Sequence, residues 1–230
     1  MSFIVVHCEP EAESQGEHQV LTFPMLVAIM QAADTYGAKV TFALSPQWAS
    51  FLLVRPRARQ LVRSWVANGH ELAYHHHGYS NKDTPARWDG YSDMPVAVTD
   101  PEYRGTAEDA YNLVSAVLPA VPVASGLMSD AHVDWQPGLT YKAWGGGLIS
   151  LPTSEVIMGV DVQVLTYAAI QFSVSPAEVE AAIPLLGPDA SIGLVLHAYQ
   201  LPDVMEDMLT MLSSLNAAGM APVTLSSLLQ

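Results

Sequence analysis

The chain has a single cysteine, Cys8, in 230 residues. That excludes an internal disulfide framework and any zinc knuckle built from several thiolates. Basic residues are nearly as scarce: nine Lys and Arg stand against 23 Asp and Glu, a formal charge of −14. Nucleic acids and anionic membranes recruit Lys and Arg against phosphate, so neither is expected as a partner, and a polyanionic substrate is disfavoured. No apolar run reaches the ~18 residues of a membrane span. No linker, composition break or internal repeat divides the chain, which predicts one domain over residues 1–230. Half the residues are hydrophobic and 14% are charged, a balance that buries a core rather than remaining disordered. The start, Met1-Ser2-Phe3-Ile4-Val5-Val6, has no basic region and no small-residue cleavage site. It reads as a first strand and not a signal peptide, so a cytoplasmic location is the expectation.

What is present is an alternation of short apolar runs with helical stretches. Strands are expected at Phe3 to Val6, Lys39 to Leu44, His70 to Tyr74, Pro122 to Met128, Leu148 to Leu151, Val162 to Leu165, Ala168 to Phe172, Ile192 to Leu196 and Ala221 to Thr224. Helices are expected at Leu21 to Tyr36, Pro46 to Val54, Pro56 to Asn68, Thr106 to Leu118, from Ser175, and Asp203 to Ala218. Ser175-Pro176-Ala177-Glu178 has the cap serine, the first-turn proline and the glutamate of a helix start. Such alternation implies a mostly parallel sheet with helices outside. The strand count favours a closed or nearly closed α/β barrel over an open doubly wound sheet. The segments Ser80 to Gly105 and Ser129 to Gly147 read as long loops carrying Trp88, Tyr91, Trp135, Tyr141 and Trp144, aromatics that either stack on sugar rings or pin the loops.

In parallel α/β folds, functional side chains gather at the C-terminal ends of strands. Three such ends carry ligand-type residues: His7-Cys8-Glu9-Pro10-Glu11, then His75-His76-His77, then His197. Neutral imidazole and carboxylate are the usual ligands of zinc-like cations. On an extended backbone neighbours point opposite ways, so His75 and His77 share a face and His76 turns away. His70, at a strand start, reads as structural, and Cys8 as a small buried hydrophobe. His132 and Asp134 alternate in a way that fits substrate contact or loop capping, and Trp135 beside them is a further candidate for substrate contact. His197 is as readily a core histidine as a functional one by its local pattern alone.

Several segments together resemble the polysaccharide deacetylase family, carbohydrate esterase family four. Gly37-Ala38-Lys39-Val40-Thr41-Phe42-Ala43 is similar to its second strand. Asn68-Gly69-His70-Glu71-Leu72, leading to His75, is similar to its Gly-His-Glu motif. Ser191 to His197, with Val223-Thr224-Leu225-Ser226-Ser227-Leu228-Leu229, is similar to its last strand and ending. The resemblance implies a distorted (β/α) barrel of about seven parallel strands, and a divalent metal that activates water against an acetyl carbonyl. Zinc is the first choice, with nickel, cobalt or manganese as alternatives. It also implies Glu9, His75 and His77 as metal ligands, His197 as general acid, and His7 or Glu11 as proton acceptor. Three positions depart from the family pattern: Cys8 stands where the catalytic aspartate is usual, Tyr79 where the second metal histidine is usual, and no arginine follows Val123-Ala124-Ser125-Gly126. His7-x-Glu9 is also similar to the metal pair of some glycoside hydrolases of the same superfamily. The expected activity is removal of an acetyl or similar acyl group from a sugar or small amide. A catalytically silent binding barrel and a glycoside hydrolase are the alternatives. The expected partner is a carbohydrate or other small molecule, and self-association into a homo-oligomer is left open.

Overall fold

The computed structural model describes residues 1–9, 17–83, 87–127, 138–157, 159–170 and 174–229. In chain order they form β1 (Ser2–Cys8), α1 (Glu17–Thr35), β2 (Thr41–Leu44), α2 (Pro46–Leu53), α3 (Pro56–Ala67), β3 (Glu71–Tyr74), α4 (Ala107–Ser115), β4 (Ala124–Leu127), β5 (Leu139–Gly145), β6 (Ile149–Ser150), β7 (Thr153–Ile157), β8 (Val160–Ala169), α5 (Pro176–Ala182), β9 (Ser191–His197), α6 (Leu201–Ala217) and α7 (Leu225–Leu228). Local chemistry sets several boundaries. Pro46 and Pro56 open α2 and α3, where a missing N–H costs nothing. Thr106 with Asp109, and Ser175 with Glu178, form reciprocal capping boxes at α4 and α5. Each satisfies two backbone donors that the first helical turn leaves open.

The strands lie in the order β6-β9-β1-β2-β3-β4-β5-β8-β7, and β8 also pairs with β9. Among the described residues, β1, β2, β3, β4, β5, β8 and β9 therefore close a ring of seven parallel strands. This is the distorted (β/α) barrel expected from the sequence. The short β6 and the exposed β7 pair antiparallel to β9 and β8 at its margin.

Strand alternation sorts side chains between two cores. Phe3, Val5, Ala43, Ala73, Tyr141, Leu165, Tyr167 and Val195 fill the barrel. Ile4, Val6, Cys8, Phe42, Leu72, Tyr74, Leu194 and Leu196 face the helices. Leu225 of α7 packs into the interior cluster with Leu228 and Leu229. Its N–H donates to Thr41 Oγ1 and the Ser226 N–H to Glu71 Oε2. The N-terminal end of the barrel is thus plugged, which leaves the C-terminal end for a site.

Gly193 lies where β9 meets both neighbours. A Cβ there would collide with the Thr166 carbonyl oxygen and the Phe3 ring. Gly193→Ala is expected to cost about 3 kcal/mol, the upper range for overpacking, and chemical denaturation checks it. An unchanged midpoint would show that the closure between β8 and β9 yields freely.

His70 is structural, as expected. Its Nδ1 accepts from the Val40 N–H at 3.1 Å, so its Nε2 carries the hydrogen toward Asp34, 3.2 Å away. Burial, opposed by Asp34, holds its pKa below the usual imidazole value.

Two expectations need correction. Residues 139–145, read as loop, form the interior strand β5, and Tyr141 is fully buried inside the barrel instead of facing a sugar. Of the two roles open to the loop aromatics, the buried Trp88 pins its loop, its Nε1 donating to the Tyr91 carbonyl at 2.8 Å. Ala221 to Thr224 contributes one bridge, Phe3 to Val223, rather than a strand. No helix among the described residues is long and apolar enough to cross a membrane.

Candidate metal centre

The alternation that fills the barrel also builds the site. His7 and Glu9 continue the inward series Phe3, Val5 of β1. His75 and His77 continue from Ala73 of β3, and His197 follows Val195 of β9. In register, His7 stands opposite His197. Five ligand-type side chains from three strand ends therefore meet above the interior core.

Glu9 is the hub. Its Oε2 lies 2.9 Å from His77 Nε2 and 3.2 Å from His75 Nε2, and these two nitrogens are 2.8 Å apart. Its Oε1 lies 3.4 Å from His197 Nε2 and 3.6 Å from His7 Nδ1. His7 stacks on His75 with ring centroids 4.4 Å apart and meets His197 edge-on at 5.3 Å. His7, His75 and His77 are buried. Among the described residues, two trios have ligand atoms within 4.8 Å of one another: Glu9, His75 and His77, and His7, Glu9 and His197.

The hydrogen bonds around the cluster fix which atoms face inward. His77 Nδ1 is 3.0 Å from the Arg87 carbonyl oxygen. A carbonyl only accepts, so Nδ1 carries the hydrogen, and in the neutral ring Nε2 presents its lone pair toward Glu9. His197 repeats the device: its Nδ1 donates to Gln200 Oε1 at 3.1 Å, and the same oxygen lies 3.4 Å from the His197 backbone N–H. That second contact identifies the Gln200 atom as oxygen. Orienting partners of this kind are typical of metal-ligating histidines.

Burial pulls the His7 pKa down to about 3, with the neighbouring His75 adding to it against Glu9. Burial also lowers His75, against the attraction of Glu9. For Glu9 itself, burial favours the neutral acid. The facing His75 and the hydrogen bonds from His7 and His75 outweigh it and hold the carboxyl well below the usual value. The result is an anionic oxygen and two imidazole nitrogens packed at about 3 Å with too few hydrogens to join them. Two nitrogens and a carboxylate oxygen match the His₂Glu donor set of catalytic zinc, and a cation between them would relieve the repulsion of their lone pairs.

His76 turns outward, as expected. Its Nδ1 lies 2.7 Å from Asp89 Oδ2, which also accepts the His77 N–H at 3.1 Å. Asp89 Oδ1 accepts the Tyr91 N–H at 2.9 Å. The fully buried Asp89 thus holds the backbone that aims His77. Asp89, Gln200 and the Arg87 carbonyl escaped the sequence reading. Gln200, three residues after a strand-end histidine, offered the only local signal.

Tyr79 packs edge-on against Trp88 with centroids 4.7 Å apart, whereas His77 Nε2 meets Glu9 Oε2. Cys8 faces the helix-side core, where burial pushes its thiol pKa up. Glu11, His132, Asp134 and Trp135 lie outside the described residues.

No family model matches the sequence, and no curated protein matches it either. Solved structures do match its fold. One is a 4-alpha-glucanotransferase from Thermococcus litoralis, with TM-score 0.57 and 13% identity. The likeness covers 99% of this chain, which spans only 37% of that enzyme. Another is a Mycobacterium smegmatis protein assigned as a polysaccharide deacetylase, with TM-score 0.53 and 13% identity, covering 99% of this chain and 89% of that one. The fold is that of the barrel deacetylases and glucanotransferases.

Proposed function

We propose that the protein is a metal-dependent hydrolase that removes an acetyl or similar acyl group from a sugar or small amide. The supporting observation is the Glu9, His75 and His77 trio, whose ligand atoms converge at about 3 Å. These three residues would hold a divalent cation, zinc first and nickel, cobalt or manganese as alternatives. When bound, the ion supplies Lewis acidity toward a carbonyl and lowers the pKa of water.

The chain's own residues divide the proton work. His197, with Nδ1 held by Gln200, presents Nε2 at the edge of the cluster. It is half-buried, unlike the other three histidines, and so is placed to reach a leaving group as general acid. The proton acceptor is His7 or Glu11, and His7 Nδ1 lies 3.6 Å from Glu9 Oε1.

The test is acetate release from acetylated chito-oligosaccharides and an aryl acetate by zinc-loaded protein. His197→Ala is expected to lower kcat by about 10²- to 10⁴-fold with metal content unchanged. Folded, metal-saturated protein that releases no acetate from either substrate would leave a binding barrel. The likeness to the glucanotransferase supports a second reading as a glycoside-bond enzyme, which cleaved or transferred oligosaccharides among the products would reveal.

A further inference from the structure

We propose that a second cavity on the same barrel face, between α2 and the 88–104 loop, binds an anionic group, a carboxylate or a phosphate, on the substrate. This rests on the hydrolase reading above and gives that substrate a chemical class. The cavity has a volume of about 510 Å³ and is lined by residues that follow β1, β2 and β3, among them Gln19, Gln47, Arg55, Trp88 and Arg104. It adjoins the metal-site backbone directly: Asp89 lines it, and the Asp89 N–H donates to the His77 carbonyl at 3.0 Å.

Its charge runs against that of the molecule. From Thr35 to His70 the chain has five Lys and Arg and no acid, while the other four basic residues share the rest of the chain with all 23 acids. Arg55 comes from that basic stretch and Arg104 from the opposite wall. The Arg55 guanidinium packs 4.1 Å from the Phe51 ring centroid and gives one N–H to the Phe51 carbonyl at 3.3 Å. Among the described residues its remaining donors have no partner. The Arg104 stem lies flat on Gly90, where a Cβ would fall 2.9 Å from Arg104 Cδ. Neither arginine pairs with a carboxylate among the described residues.

Two acids also line the cavity, and they differ. The Asp89 carboxylate is fully buried and already accepts from His76, His77 and Tyr91. Only the exposed Glu102 opposes the two guanidiniums. The floor has spare acceptors as well. Gln47 Nε2 donates to the Asp89 carbonyl at 2.7 Å, which fixes its amide. Among the described residues, the buried Oε1 atoms of Gln47 and Gln19 have no hydrogen-bond partner. Paired guanidiniums suit an oxyanion bidentately, free carboxamide oxygens suit hydroxyls, and Trp88 and Tyr103 supply aromatic walls. An acidic sugar carries all three complements.

The experiment is calorimetric titration of the full chain, zinc-loaded and metal-stripped, with glucuronate, glucose 6-phosphate and glucose. At least one anionic sugar is expected to bind tenfold or more tightly than glucose in both forms, and the tighter of the two identifies the group. Arg55→Gln with Arg104→Gln is expected to abolish that preference, and Glu102→Gln to strengthen it severalfold. Equal binding of all three sugars, binding of none, or a preference that survives the double arginine variant overturns the proposal. If the double variant does not fold, an unchanged preference in Glu102→Gln overturns it instead. No turnover is involved, so loss of the cavity's preference and loss of acyl hydrolysis are separate results.

Discussion

Stripping the protein with a chelator is expected to lower its melting temperature by roughly 8–16 °C, and Glu9→Gln to erase the difference between loaded and stripped protein. A ligand that binds only the native state stabilises by about 4 kcal/mol at 1,000 times its Kd. For a chain of this size each kcal/mol shifts Tm by about 2–4 °C. The three proposed ligands follow β1 and β3, which β2 holds side by side only in the folded sheet, so the unfolded chain has no comparable site. Glu9 is the right probe because both histidine contacts pass through its Oε2. Its amide keeps the shape and loses the charge. Differential scanning calorimetry with and without zinc reads the effect. A chelator-insensitive wild type, or a Glu9→Gln protein that still gains stability from zinc, would contradict it.

The metal-stripped protein is expected to lose on the order of 4 kcal/mol from His7 alone between about pH 6.5 and pH 3. In the unfolded chain His7 titrates near 6.5, and in the native barrel burial holds it to about 3. Between those values the unfolded state binds the proton and the native state does not, so acid pulls the equilibrium toward unfolding. The contribution is fully present above pH 6.5 and disappears as pH falls through the folded value. His75, lowered chiefly by burial, acts in the same sense. Glu9, held below its usual value, adds its own loss at pH below about 4.5. Denaturant midpoints from pH 7.5 to pH 4 measure the slope, and His7→Phe, which keeps a buried ring without a titrating nitrogen, should flatten it. A slope equal in wild type and His7→Phe would place the acid sensitivity elsewhere.

Much of the site was legible because it obeys a period of two. His7 and Glu9, His75 and His77, and His197 after Val195 all continue inward-facing series, and parity along each strand states this before any coordinates are seen. The same rule brings His77 beside His75: two residues along an extended backbone return to the same face. Legibility ended where the chain folds back on itself. Asp89 acts on His76 and His77 only because the segment after β3 returns to them, and no local pattern encodes that return. Strand β5 was hidden for a different reason. Leu139 to Gly145 sits between a polar stretch and a glycine run, so the composition signals turn, while Tyr141 and Ala143 complete the barrel interior. The exposed strand β7 was unreadable because a strand without a buried face has no hydrophobic pattern to show.

The central claim is that three strand-end side chains share one cation. Anomalous diffraction at the zinc edge, from crystals of protein purified with zinc, tests it most directly. The account predicts one strong peak bounded by Glu9 Oε2, His75 Nε2 and His77 Nε2. A zinc-saturated crystal with no anomalous density among those three atoms would contradict it.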